Sequence, residues 1–182
     1  TNEAYALAKI SAIKYCQSLN TQYGTNFISA MPTNLYGPFD NFHLENSHVL
    51  PAIIRKFHEA KIENKPFVEL WGTGSVKREF LYVEDLSEAL LFLMNTEQKI
   101  PNLINLGMGE DIKIMELAEI IKEIVGYPGR IKWNSSKPDG MARKLLDVSI
   151  IESLGWKHRT KLAEGIKKTY LWYLNNQDII KK

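Results

Sequence analysis

The sequence predicts an α/β protein with a largely parallel sheet, and three observations carry that prediction. Short apolar runs of strand length alternate with helical patterns of about 10 to 15 residues, the rhythm of βαβ units. Hydrophobic residues make up 45% of the 182 and charged residues 24%, scattered along the chain, a balance that buries a core. No internal repeat or low-complexity tract interrupts that rhythm.

The first helix spans about residues 4 to 19, where Tyr5, Leu7, Ile10, Ile13, Tyr15, Cys16 and Leu19 stand among alanines and occupy most of the circumference. A helix apolar on so many sides is expected to be covered on more than one. After the break at Tyr23-Gly24-Thr25-Asn26, Phe27 to Met31 reads as a short buried strand ended by Pro32, and Thr33 to Asn46 as a long loop. Ser47 opens the next helix. Pro51 falls in its first turn, where a missing N–H costs least, and Leu50, Ile53, Ile54 and Phe57 form its apolar stripe.

Phe67 to Trp71 is a strand, and Gly72-Thr73-Gly74 leads to a second, Glu79 to Val83. Asp85 with Glu88 three residues on has the pattern of a capping box for a helix reaching Asn95. Leu103 to Leu106 is strand-like, a helix from about Ile114 to Val125 ends at Gly126, and Arg130 to Trp133 is a further strand. The polar loop Asn134 to Lys144 leads into two final helices, the last from about Lys161 to Asn175.

Charge narrows the function. Lysine plus arginine (23) nearly balances aspartate plus glutamate (21), so no net field holds the chain on nucleic acid or an anionic membrane, and any anion is bound locally. The single cysteine, Cys16, excludes an intramolecular disulfide and fits a reducing, cytoplasmic compartment. No apolar run approaches the roughly 20 residues that span a bilayer, and the N-terminus lacks the regions of a signal peptide. The chain opens on Thr1 and runs through Asn2 and Glu3 straight into a helical pattern, which reads as a cut inside a longer protein.

Tyr5-Ala6-Leu7-Ala8-Lys9 sets a phenol and an ammonium four residues apart, on one face of a helix and one turn from each other. A free tyrosine titrates near pH 10 (about 10), and a cation held close lowers that value, making the phenol a usable proton donor or acceptor. Alone the spacing is weak, since a packed tyrosine beside a solvated lysine is its commoner meaning. The second cluster, Met31-Pro32-Thr33-Asn34-Leu35-Tyr36-Gly37-Pro38, follows a strand at its carboxyl end, where open α/β sheets bind ligands.

Read together, Y-x-x-x-K, a strand and then P-x-N-x-Y-G-P resemble the extended short-chain dehydrogenases/reductases. The runs Asp40-Asn41-Phe42-His43, Asn46-Ser47-His48-Val49, Trp71-Gly72-Thr73-Gly74, Arg78-Glu79-Phe80, Lys137-Pro138-Asp139-Gly140 and Arg143-Lys144-Leu145-Leu146-Asp147 resemble the GDP-L-fucose synthase branch of that family. Many related sugar-nucleotide enzymes have arginine where Met31 stands, so the methionine favours that branch.

The resemblance implies the C-terminal part of a Rossmann-like NAD(P)-binding domain plus a smaller mixed α/β substrate domain. Residues 1–36 would end the dinucleotide-binding domain and 37–182 would be mainly substrate domain, with about 80–107 returning to the former. It implies NADPH-dependent epimerisation at C3 and C5 and reduction at C4 of GDP-4-keto-6-deoxy-D-mannose. Tyr5 matches the family's proton donor, Lys9 its partner at the cofactor ribose, and His48 its epimerisation acid/base. Pro32, Thr33, Asn34 and Leu35 join Tyr5, Lys9 and His48 at the cofactor. Asn34, Lys56, Trp71, Arg78, Asp139 and Lys144 fall at positions resembling GDP-sugar contacts, with Lys56 a point charge where arginine is common. No metal is implied. A homodimer is, through a helix like that of residues 4 to 19.

His48 sits at a helix start, where the positive end of the dipole disfavours an imidazolium and suits a group exchanging protons near neutrality. The family's second acid/base, a cysteine, precedes the tyrosine, and Cys16 cannot replace it. On a helix rising about 1.5 Å per residue, Cys16 lies about 16 Å along the axis from Tyr5, and core packing is its expected role.

No glycine triplet fits G-x-G-x-x-G: Gly72-Thr73-Gly74 and Gly107-Met108-Gly109 both lack the third glycine. Alone, the chain is therefore expected to lack most cofactor affinity, to be inactive and to expose a sheet edge. The competing readings are a nucleotide-sugar 4-epimerase or 4,6-dehydratase of the same family, and a non-catalytic sugar-nucleotide-binding relative.

Overall fold

A computed structural model describes residues 3–44 and 46–180. Thr1 and Asn2, read as the lead into the first helix, and Glu45, within the loop read at 33–46, lie outside the described residues. Helix α1 runs Glu3–Tyr23, four residues past the expected end, and buries none of its residues. The expected cover is not provided by this chain. Its C-terminal turn is tied down by Asn20, whose side-chain amide donates to Phe27 O at 2.8 Å and whose oxygen accepts from Phe27 N at 2.8 Å. Cys16 is half-buried and unpaired by any disulfide.

Strand β1, Ser29–Pro32, starts two residues later than the sequence predicts and includes the proline. The segment read as a loop contains a second strand, β2, Asn34–Tyr36. Three residues are too few to show a period, and the partner that defines the strand is remote. That partner is β5, Phe80–Tyr82, paired in parallel with Asn34 opposite Phe80. The strand predicted over 79–83 is thus shortened to β5, with Glu79 separating it from an unpredicted strand, β4, Lys77–Arg78, and with Val83 opening the next helix.

Helix α2, Val49–Ile62, begins after an N-cap at His48 rather than at Ser47. The hydroxyl of Ser47 is buried without a partner, so it caps nothing. Helix α3 runs Val83–Asn95 with Tyr82 as N-cap, so Asp85 is its third residue and the expected capping box is absent. The buried Asp85 carboxylate instead accepts from Thr160 N at 3.0 Å and Thr160 Oγ1 at 3.1 Å, pinning the approach to the last helix.

The remaining elements are β3 (Phe67–Trp71), β6 (Leu103–Leu106), β7 (Ile112–Lys113), α4 (Ile114–Val125), β8 (Arg130–Asn134), β9 (Arg143–Lys144), α5 (Ser149–Ser153) and α6 (Leu162–Asn175). Helix α4 ends at Gly126 as the sequence predicts, and Glu116 in its first turn accepts from the Lys113 N–H. Strands β1 and β6, β2 and β5, and β3 and β8 pair in parallel, while β4 sits between antiparallel β7 and parallel β9. The α/β class is what the alternating rhythm predicted, but the mainly parallel pairings are spread over four short sheets rather than one.

Two apolar clusters hold these elements. The larger packs α2, α4 and α6 over β3, with Ile54, Phe57, Leu117, Ile121 and Ile166 all fully buried. Each such side chain contributes about 1.5–3 kcal/mol by leaving water. The smaller joins Leu81, Ala89, Ile104, Leu106, Ile151 and Trp156. Strand β5 is the seam, because its period of two sends Phe80 and Tyr82 into the larger cluster and Leu81 into the smaller. Among the described residues no helix is long and apolar enough to cross a membrane.

Candidate functional site

A cleft of about 570 Å³ opens where α1, the β1–β2 segment and the N-terminus of α2 converge. Tyr5, Pro32, Thr33, Asn34, Leu35 and His48 all line it. These residues are separated by up to 43 positions, and strand pairing brings them together. Thr33 N donates to Leu106 O at 3.0 Å, which fixes the step from β1 to β2, and the Asn34 amide donates to Glu79 O at 2.7 Å. Gly37 turns the chain at the cleft wall. A Cβ there would lie 2.5 Å from Val83 Cγ1, so only glycine lets this loop approach the start of α3.

Tyr5 is 60% exposed, with its side chain on the cleft rather than in a core. The Lys9 ammonium stands 5.4 Å from the centroid of its ring, as the four-residue spacing predicts. Lys9 itself does not line the cleft. His48 is exposed, and its ring makes no side-chain hydrogen bond to the helix it caps, so the imidazole is not used up by capping.

Sequence reasoning passed over two neighbours. Tyr36 is buried, packed against Phe80 and Tyr82, and burial together with nearby Asp85 drives its phenol well above the usual tyrosine range, leaving it a neutral hydrogen-bonding group. Asp40 accepts from Asn41 N at 2.7 Å through one oxygen, while the other is buried without a partner. Burial raises the Asp40 carboxyl, with the Asn41 N–H and the charge of His48 opposing that rise. A carboxylate inside the predicted loop, three residues beyond the glycine, was the available signal.

Val49, the residue after His48, lines two separate hollows. Trp71, Arg78 and Asp139 line a hollow of about 150 Å³ with Val49, and Trp71 and Lys56 line another of about 250 Å³ with Val49 and Ile114. Trp71 is 65% exposed and is flanked by two cations, Lys56 at 5.7 Å and Lys137 at 5.4 Å from its ring. Burial lowers the Lys56 amine below the usual lysine range, against the charge of Glu69. The carboxylate of Asp139 accepts from Thr73 N at 2.7 Å and Thr73 Oγ1 at 2.8 Å, bonds that hold it below the usual carboxylate range. Asp139 therefore shapes the Gly72–Gly74 turn beside Trp71, with both oxygens already engaged.

Arg78 and Lys144 are register partners in the β4–β9 pair. Their side chains serve different hollows, because Lys144 lines a third one of about 450 Å³ together with Pro32, Thr33 and Asn34. Every predicted site residue but Lys9 thus borders one of four hollows. The Tyr5 cleft and the Lys144 hollow share Pro32, Thr33 and Asn34, and the two hollows at Trp71 share Val49 and Ile114. Among the described residues no group of three or more histidine, cysteine or carboxylate side chains is arranged to hold a metal ion. Chemically, the arrangement offers a phenol, an imidazole and a carboxylate on one cleft, with cations and an indole farther along.

Residues 1–107 match the family model described as NAD dependent epimerase/dehydratase family. The chain is 56% identical over 182 residues to the protein of Oryza sativa subsp. japonica named Probable GDP-L-fucose synthase 1, covering 100% of this chain and 55% of the relative. It is 51% identical over 187 residues to the GDP-L-fucose synthase of Escherichia coli (strain K12), covering 98% of this chain and 58% of the relative. Among solved structures, a GDP-L-fucose synthetase from Naegleria fowleri bound to NADP superposes with a TM-score of 0.90 at 31% identity, over 100% of this chain and 59% of that one. The chain spans a little over half the length of the curated relatives it matches.

Proposed function

The chain belongs to the NAD dependent epimerase/dehydratase family, and we propose that the protein carrying it converts GDP-4-keto-6-deoxy-D-mannose to GDP-L-fucose with NADPH. The observation that carries this reading is the shared cleft of Tyr5, Thr33, Asn34 and His48, joined through Pro32, Thr33 and Asn34 to the Lys144 hollow, with a separate hollow of Trp71 and Arg78 beside Val49. One end supplies proton-transfer groups and the other supplies cations and an indole, which matches a substrate with a reactive ketone at one end and a nucleoside diphosphate at the other.

Each residue then has a chemical task. The hydrogens on C3 and C5 are acidified by the C4 ketone, and epimerisation requires two acid/base groups, one removing each proton from one face and the other returning a proton on the opposite face. His48, exposed on the cleft, serves as one of the two. The Tyr5 phenol gives its proton to the C4 oxygen, and the Lys9 charge beside the ring stabilises the phenolate left behind. When bound, NADPH would supply the hydride that reduces C4, and Pro32 to Leu35, which line the cleft with Tyr5, would hold the cofactor there. Arg78 and Lys144 meet the diphosphate, Lys56 adds a point charge and Trp71 packs against the base or sugar. Asp139 contributes by setting the turn next to Trp71.

Residues 1–36 and about 80–107 belong in this reading to the dinucleotide-binding domain and the rest of 37–182 to the substrate domain. The smaller apolar cluster supports this by packing Leu81, Ala89, Ile104 and Leu106 of the 80–107 stretch together, while Ile151 and Trp156 from the substrate part join the same cluster and Phe80 and Tyr82 face the larger one. The protein acts as a cytoplasmic homodimer, and the exposed Leu7, Ile10 and Tyr15 of α1 offer the face for a second copy.

The test is stoichiometry. The full-length protein given GDP-4-keto-6-deoxy-mannose is expected to oxidise one NADPH per GDP-L-fucose formed, followed by absorbance and product NMR. Sugar turnover without net NADPH oxidation would instead identify an epimerase that recycles its cofactor.

A further inference from the structure

Glu79 is 0% exposed and lies between β4 and β5, next to Arg78 in the chain. Its carboxylate collects three backbone N–H groups from two distant segments. Oε1 accepts from Met108 N at 2.6 Å and Gly109 N at 2.8 Å, and Oε2 accepts from Leu146 N at 3.0 Å. The approach depends on glycine at 107, where a Cβ would lie 2.2 Å from Oε1. On the other side, the Glu79 carbonyl accepts from the Asn34 amide at 2.7 Å and Thr33 Oγ1 at 3.4 Å. One residue therefore ties the Thr33–Asn34 step, the 107–109 turn and the segment that follows Lys144.

The Leu146 bond matters most to the site. Strand β9 is two residues long, its Arg143 and Lys144 are exposed, and it pairs only with the equally short β4. A ladder that short has little stability of its own. The Lys77 N to Ala142 O bond at 2.9 Å and the ion pair of Arg143 with Asp111 hold its leading end. Glu79 holds its trailing end, from inside the core. We propose that Glu79 is a positioning residue that clamps the Lys144 segment to the strand carrying Arg78, so that the two cations, from their separate hollows, keep one fixed spacing toward the substrate diphosphate. The clamp rests on the GDP-sugar reading for its purpose and on the hydrogen bonds for its existence.

Glu79→Gln separates these roles. The amide oxygen can keep the Met108 and Gly109 donors, but the NH₂ group then faces the Leu146 N–H, donor against donor. In the full-length protein, calorimetry is expected to show GDP binding weakened about tenfold, the size of one lost charge-assisted hydrogen bond, with NADP+ affinity within about twofold of wild type. Hydrogen exchange should speed up at residues 145–147 and stay slow at 108–109. In a Lys144→Ala background, Glu79→Gln should add little further loss of GDP affinity, because the clamp acts through Lys144.

Equal weakening of GDP and NADP+, or full additivity with Lys144→Ala, would overturn the clamp in favour of a general structural role. Unchanged exchange at 145–147 overturns it whatever the ligand. Wild-type protein that binds GDP no better than UDP overturns the substrate reading, and the exchange result then still judges the clamp by itself. Should Glu79→Gln not fold, Leu146→Pro removes the same hydrogen bond from the other partner and carries the same expectations, with exchange read at 145 and 147.

Discussion

The two helices that bring Tyr5 and His48 to the cleft stand on different footings. Helix α1 has 21 residues and buries none of them, whereas α2 has 14 and buries Leu50, Pro51, Ile53, Ile54, Phe57, His58 and Ala60. The Tyr5–Lys9 pair is internal to one helix turn, so its geometry needs only that the helix exist. His48 needs more. As the N-cap of α2 it is placed by everything that α2 packs against, including α4 and α6 in the larger apolar cluster. Within this chain, the proton donor rides on a helix that the chain's own described residues leave uncovered, while the acid/base group is fixed by a core.

That contrast is sharpened by separating chemistry from stability. Tyr5→Phe in the full-length protein is expected to slow C4 reduction by about 10²- to 10⁴-fold, the usual worth of a general acid, while C3 and C5 exchange persists. In the 182-residue chain by itself, where the side chain is exposed, the same substitution should not move the melting temperature. Measured melting and single-turnover reduction decide this, and a large stability loss would mean α1 is better supported than its burial indicates.

Ile54→Ala tests the other footing. Ile54 is fully buried under α2, so its truncation is expected to cost about 2–5 kcal/mol in urea unfolding, through lost transfer energy and the cavity left behind. A smaller effect belongs to His58 on the same helix, which is buried with its Nδ1 3.0 Å from the Tyr170 hydroxyl and its Nε2 3.0 Å from the Gln177 amide. Burial, followed by the opposing charges of Glu59 and Lys61, leaves its imidazole below the ordinary histidine value. The unfolded chain takes up that proton near pH 6.5 (about 6.5) while the folded one does not. Stability is therefore full above that pH and falls as the solution is acidified from there towards the folded value. A pH series of melting curves should show the fall, and His58→Gln should flatten it. Ile10→Ala on α1 is the smallest change, within about 0.5 kcal/mol in a monomeric preparation, since the side chain is exposed.

Much of this was legible in the chain. The alternation of strands and helices, the end of α4 at Gly126, the i, i+4 pair of Tyr5 and Lys9 and the run from Pro32 to Pro38 all depend on residues within one or two turns of each other. The cover expected over α1 is not among the described residues of this chain, because an apolar circumference shows that a helix can be covered without saying by what. The capping box at Asp85 was misread because an acidic residue near a helix start serves equally well as a tie to a distant backbone, here Thr160.

By itself, then, the sequence determined the elements and the residue types of the site, since periodicity, propensity and motif spacing act over a few neighbouring residues. Only the tertiary structure decided which segments meet. Strand β2 exists because Asn34 finds Phe80, Asp85 serves Thr160 across 75 positions, and Glu79 reaches Leu146 across 67. Each of these bonds is selected by the closing of the whole core around it, and a partner chosen that way leaves no mark in the residues beside it.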